Sequence, residues 1–399
     1  MKLIFTIFSI FLGFTHFLGA IEPTDTWETR GHTVLEGLKT SVCEESQKLT
    51  EIDPKKASYG TILAHETVNA ACKTEILTRE FANQQPTAPN KLAGLKDGDL
   101  LGQMRLMEGY GIAVDLVAYA SSGLAVGGIL CYPDDGNPHS TVLHLHGGFG
   151  GIFQNPDGNM LETCVNWALL HHRTAFAPSY RGQDGGEGSM ELCLGEADDV
   201  AAGATMLRSM KVTDPDRLAV VGGSTGGCVA LRAGPKIPNL RAVVSYVPPA
   251  DWKSIVEYHR TSFSSAIETN CDGGTVAWDI GGTNMADVID NAICGHPFCS
   301  NADYEARSTI PGVFTQTAPT LIISAEFDNI VPLEQHLLYS MLRQQLGNPV
   351  DVYVVDRCGA PSAPGVSFDA HVMVQDAFHA LSPATISSGL LFLMDALDR

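Results

Sequence analysis

The sequence predicts an α/β fold in which a mainly parallel sheet carries helices on both faces. Three observations predict it. Short apolar runs at residues 140–145, 174–178, 218–221, 242–246 and 320–325 alternate with helical segments of roughly ten residues or more. These runs are almost free of charge, as strands buried on both faces must be. Loops rich in glycine or polar residues follow several of them, where ligands gather in such sheets. The chain has 399 residues, 44% hydrophobic and 18% charged, enough for one large domain with an appendage.

The elements follow in order. Residues 1–20 hold one charge, Lys2, then an apolar run ending in Gly19-Ala20 before Ile21. This is the pattern of a cleaved signal peptide, and the alternative is an uncleaved N-terminal membrane anchor. No other stretch is long and apolar enough to span a bilayer. Residues 21–105 are polar, with apolar stripes at Val34, Leu35 and Leu38 and at Ile62, Leu63 and Val68. They read as a helical N-terminal extension bounded by Pro86, Pro89 and the loop 95–98. Residues 106–399 form the main domain. Strands at 112–120 and 124–132 read as a hairpin around Ser121-Ser122-Gly123. The strand at 140–145 runs into His146-Gly147-Gly148-Phe149, and the strand at 174–178 leads to Tyr180-Arg181-Gly182. Helices are expected at 160–171, 197–209, 333–346 and 384–397. Residues 253–315 mix helix and loop and read as a partial lid. The last strand is expected at 350–355, followed by a loop carrying His371 and His379.

The net charge of -20 is spread along the chain with no basic patch, which excludes nucleic acid as a partner. All ten cysteines follow the signal segment, an even number that points to disulfides in an exported chain. Cys43 with Cys72 and Cys294 with Cys299 are the expected local pairs, and Cys228 is expected as a buried thiol. No zinc-finger spacing occurs, so no structural metal and no cofactor are expected.

The chemistry centres on Gly222-Gly223-Ser224-Thr225-Gly226, set between an apolar strand and a helix-forming segment. A serine hydroxyl is a weak nucleophile that needs a base and a group to orient the base. A strand–turn–helix around Gly-x-Ser-x-Gly holds such a serine exposed, and its partners follow in the order Asp, His. Asp328, directly after a buried strand, is the expected acid, with Glu326 as fallback. His371 is the expected base because it lies nearer the last strand. His379 is the alternative, closer to the final helix. The oxyanion needs main-chain donors. Thr225 N–H supplies one, and the backbone of Gly148 and Phe149 supplies the others. Arg181 fits either a substrate carboxylate or a structural ion pair. Trp252 and Trp278 fit either an acyl pocket or the core.

These motifs, with Asp328-Asn329-Ile330-Val331-Pro332, resemble the α/β-hydrolase superfamily over about residues 110–397. The resemblance is strongest to its prolyl-oligopeptidase-like and dienelactone-hydrolase-like members. Residues 371–376 are also similar to the segment around the base in bacterial-type carboxylesterases. The resemblance implies an eight-stranded, mostly parallel sheet and a metal-free serine hydrolase. Oligopeptidases of this type carry a β-propeller before the hydrolase domain, and residues 21–105 are too few for one. The nucleophile is also serine, not the cysteine of a strict dienelactone hydrolase. The expected function is therefore an exported carboxylic ester hydrolase. A peptidase acting on short peptides and a non-catalytic binding protein of the same shape are the alternatives.

Overall fold

The computed structural model describes residues 26–42, 47–51, 58–67, 111–152, 160–261, 267–269, 275–277, 285–325, 328, 330–346, 351–355, 371–375 and 383–399. All eight expected strands are present, and three more join them in an eleven-stranded sheet. Its strands are β1 (Gln47–Glu51), β2 (Ile62–Thr67), β3 (Ile112–Ser121), β4 (Leu124–Pro133), β5 (His139–Leu145), β6 (Thr174–Ser179), β7 (Thr213–Gly223), β8 (Ala242–Tyr246), β11 (Thr320–Ala325), β12 (Asp351–Val355) and β13 (His371–Gln375). A separate two-stranded sheet joins β9 (Ile267–Thr269) to β10 (Thr275–Ala277). The order across the large sheet is β1-β2-β3-β4-β6-β5-β7-β8-β11-β13-β12. The first five run antiparallel, each to its neighbour. From β6 to β12 every pairing is parallel.

Alternation within the strands builds two cores. Val220 and Leu143 face one side, and Val221 and Val142 face the other. One side is covered by the helices Trp27–Val42, Met160–His171 and Pro383–Asp398 through Leu38, Trp167 and Leu393. The opposite side is covered by Glu196–Ser209, Thr225–Ala233 and Trp252–Thr261 through Leu207, Leu231 and Ile255. Sandwiching the parallel strands between helices removes their apolar side chains from water on both faces, which is why they read as continuous apolar runs.

The N-terminal extension differs from the helical expectation. It contributes the helix Trp27–Val42, then β1 and β2, which lengthen the sheet beyond β3. Hydrogen bonding to the open edge of β3 outweighs the weak helical pattern around Ile62 and Leu63. The helix is also tied to the main domain: Arg30 Nε donates to Glu187 Oε1 at 2.7 Å, and Glu187 Oε2 accepts from Ala125 N at 2.7 Å. The described parts of the segment are thus joined to the sheet of the main domain.

Three disulfides occur among the described residues: Cys131–Cys164, Cys193–Cys228 and Cys294–Cys299. The last is the expected local pair. Cys228 is not the expected free thiol. Its helix packs beside the loop that carries Cys193, 35 positions earlier, a neighbourhood that sequence distance does not reveal. Cys43, Cys72 and residues 1–20 lie outside the described residues. Among those described, no helix is long and apolar enough to cross a membrane.

Candidate active site

The site is built at the carboxyl ends of the parallel strands. β7 ends in Gly222-Gly223 and the next helix begins at Thr225, so Ser224 must turn the chain alone. It does so with φ 53° and ψ -123°, a conformation costly for a residue with a Cβ. Two hydrogen bonds hold it there. Ser224 N donates to Tyr246 O on β8 at 2.8 Å, and Cys228 N donates to Ser224 O at 3.1 Å. The glycines are required by contact: a Cβ on Gly222 would stand 2.3 Å from Gly226 O, and one on Gly226 would stand 2.5 Å from His146 O. The same contacts bring the His146 loop against the start of the helix, because β5 is the parallel neighbour of β7 with Leu145 opposite Gly222.

In that loop Gly148 takes φ +69°. His146 is buried and stacks on Tyr180, ring centroids 4.2 Å apart, while Tyr180 Oη donates to His146 O at 3.1 Å. Further along, Asp184 Oδ2 accepts from Ile152 N at 2.8 Å and from Ser179 Oγ at 2.6 Å. Tyr180 and Asp184 therefore brace the loop from β6. Residue reading missed this role, although the Tyr180-Arg181-Gly182 motif was its visible signal. Arg181 is an ion-pair partner: its Nη2 meets Asp199 Oδ1 at 2.8 Å and its Nε meets Asp199 Oδ2 at 3.0 Å, with the pair buried.

Asp328 follows β11, two strands from β7, and is buried. Its Oδ1 accepts from Ile330 N and Val331 N, both at 2.8 Å, so the turn orients the carboxylate. A histidine stands nearby that the sequence did not single out. His259, on the helix Trp252–Thr261, shares a hydrogen bond with Ile330 O through Nε2 at 2.9 Å. Burial holds its pKa below the usual imidazole range, against the opposing effects of that bond and of the Asp328 charge. No sequence motif links position 259 to 328; only the packing of the helix does. That helix buries Trp252, Ile255 and Val256, so Trp252 is a core residue, while Trp278 and Glu326 lie outside the described residues.

His371 does not occupy the expected loop. It is the first residue of β13, opposite Leu321 near the start of β11 and Asp351 at the start of β12. Parallel strands put their first residues at the amino edge, across the sheet from Ser224. The physical reason is that the run at 371–375 is β-branched and apolar enough to pair between β11 and β12. Gln375 then aligns with Ala325 at the carboxyl edge. His379 follows Gln375 by four residues and lies outside the described residues.

Residues 186–359 match the prolyl oligopeptidase family. A Bacillus subtilis protein described as an uncharacterized peptidase is 24% identical over 237 residues, covering 59% of this chain and 82% of that protein. The fold is similar to the acylaminoacyl peptidase of Pyrococcus horikoshii, with a TM-score of 0.52 and 14% identity over 76% of this chain and 44% of that one. It is similar to an esterase of Pyrococcus furiosus, with a TM-score of 0.51 and 13% identity over 73% of this chain and 93% of that one. The chain thus spans less than half of the acylaminoacyl peptidase. With the Ser224 turn at the carboxyl edge of its parallel strands, the chain has an α/β-hydrolase-type fold and resembles the prolyl-oligopeptidase-like serine hydrolases over residues 186–359.

Proposed function

We propose that this protein is an exported carboxylic ester hydrolase with Ser224 as nucleophile, Asp328 as acid and His379 as base. The observation that carries the reading is the strained Ser224 turn packed against the His146 loop. In the proposed reaction Ser224 Oγ attacks the ester carbonyl carbon. His379 takes the hydroxyl proton and returns it to the leaving alcohol, and Asp328 orients the imidazole and stabilises its charged form. Thr225 N–H and the backbone N–H groups of Gly148 and Phe149 stabilise the oxyanion. Water then cleaves the acyl-enzyme by the same route.

His379 is preferred to His371 because His371 opens β13 at the amino edge, whereas Gln375, four residues before position 379, aligns with Ala325 at the carboxyl edge. The ester reading is supported by the fold likeness to an esterase, which this chain covers over 93% of its length. The peptidase reading keeps the support of the prolyl oligopeptidase family match and of the relative described as a peptidase. Export is supported by the three disulfides, which persist in oxidising compartments. The deciding experiment measures hydrolysis of p-nitrophenyl esters beside aminoacyl and dipeptidyl nitroanilides. Ester turnover alone supports the proposal, anilide turnover favours the peptidase, and failure to turn over either with folded protein overturns both.

A further inference from the structure

At the edge of the sheet opposite Ser224, three side chains with metal-ligand chemistry converge. Asp135 lies in the turn after β4, His139 opens β5, and His172 lies between the helix Met160–His171 and β6. The parallel register explains why the histidines meet. Thr141 of β5 pairs with Thr174 of β6, and His139 and His172 each stand two residues before that pair. Their ring centroids are 4.7 Å apart at 82°. Asp135 Oδ1 accepts from Asn137 N at 2.9 Å, which turns its carboxylate back toward the rings. His139 Nε2 stands 3.0 Å from Asp135 Oδ1, and His172 Nε2 stands 3.4 Å from Asp135 Oδ2. One ligand atom from each residue lies within 4.8 Å of the others.

We propose that Asp135, His139 and His172 form a zinc site that clamps the β4–β5 turn to the entry of β6. Two imidazole nitrogens and one carboxylate oxygen are a donor set suited to a borderline divalent ion; calcium and magnesium favour all-oxygen sets. In a tetrahedral site with bonds of about 2.1 Å, ligand atoms stand about 3.4 Å apart, close to the two carboxylate–imidazole separations of Asp135 and a small rotamer adjustment from the 4.8 Å within which all three ligand atoms lie. Three protein ligands leave a fourth position for water. His139 forms the buried floor, with 10% of its side chain exposed, while His172 at 68% opens the site to solvent. The neighbouring cation, Arg173, is engaged by Ser140 and Asp398. The net charge of -20 favours cation capture. Residue reading expected no metal, because the spacing 135, 139, 172 follows no zinc motif.

The test uses the full chain after dialysis against a chelator, with Zn2+ as ligand in calorimetric titration and Co2+ as a spectroscopic probe. His172→Ala and Asp135→Asn are the variants, both at accessible positions, with circular dichroism reporting that they fold. The expected result is a saturable rise in Tm with Zn2+ in the parent chain and visible Co2+ bands. Each variant loses the bands and weakens Zn2+ binding by about tenfold or more, at least the loss usual for a supporting residue. Absence of binding to the parent at millimolar Zn2+ overturns the proposal. So does parent-like affinity in both variants, which would leave these residues a hydrogen-bonded cluster only.

Discussion

The Ser224 turn and the segment that carries the proposed base are specified in opposite ways. At Ser224 the determinants are local: glycines at 222 and 226, an apolar strand before them and a helix after. The backbone has one way to pass, and the residue types announce it. In the base segment the determinant is which strands pair. The strand His371–Gln375 inserts between β11 and β12, and that single choice sets His371 at the amino edge of the sheet and Gln375 at the carboxyl edge. Local sterics can be read from neighbours in sequence; pairing between distant strands cannot.

The contrast can be broken or sharpened by experiment. Ser224→Ala is expected to lower ester turnover on the order of 10^6-fold and to abolish fluorophosphonate labelling. Unaltered labelling would remove the nucleophile assignment. His379→Ala should lose activity on a similar scale, whereas His371→Ala should stay within about threefold of the parent, since residues outside a catalytic unit do not share its collapse. The reverse pattern in steady-state assays would mean that β13 is not the strand that delivers the base. Asp328→Asn should keep the hydrogen bonds from Ile330 N and Val331 N but lower kcat about 10^4-fold, because the imidazole loses its charged partner.

The glycines give a test of local specification that does not depend on activity. A Cβ at 226 would meet two backbone oxygens at 2.5 Å, so Gly226→Ala should cost about 3 kcal/mol or prevent folding. At 223 the nearest contact of a Cβ would be Tyr246 Cβ at 3.8 Å, so Gly223→Ala should stay within about 0.5 kcal/mol in denaturant unfolding. Equal tolerance at both positions would mean that the turn is looser than its contacts.

A further expected effect concerns pH. His144 Nδ1 accepts from Trp167 Nε1 at 3.0 Å, and burial, aided by His146, lowers the imidazole pKa from 6.5 to about 4. The folded state therefore binds this proton less readily than the unfolded chain does. Its contribution is complete above pH 6.5 and is lost as pH falls toward 4. Tm should decline across that window, and less steeply in His144→Gln, which retains an acceptor for Trp167. Parallel declines would assign the acid sensitivity to other groups.

Much of the fold was legible because burial leaves a mark on composition. The eight expected strands are apolar in sequence for the same reason that they lie between helices. Legibility ended where a segment's partner was far away. β2 looked weakly helical and became a strand on meeting the edge of β3. Cys228 looked like a core thiol and found Cys193 across a helix boundary. Of the site, the strand, turn and helix around Ser224 were readable, and so was the loop His146–Phe149, since glycine at a crowded or left-handed position is a steric requirement. The bracing by Tyr180 and Asp184 and the approach of His259 to the Asp328 turn were not, since each joins elements separated by tens of residues.

The residue types alone determined a two-faced parallel sheet and the turn at Ser224, because each follows from sterics or burial within a few positions. The tertiary structure decided the edge on which His371 falls, the disulfide at Cys228 and the meeting of Asp135, His139 and His172. These depend on strand register, and register is set by the whole sheet at once.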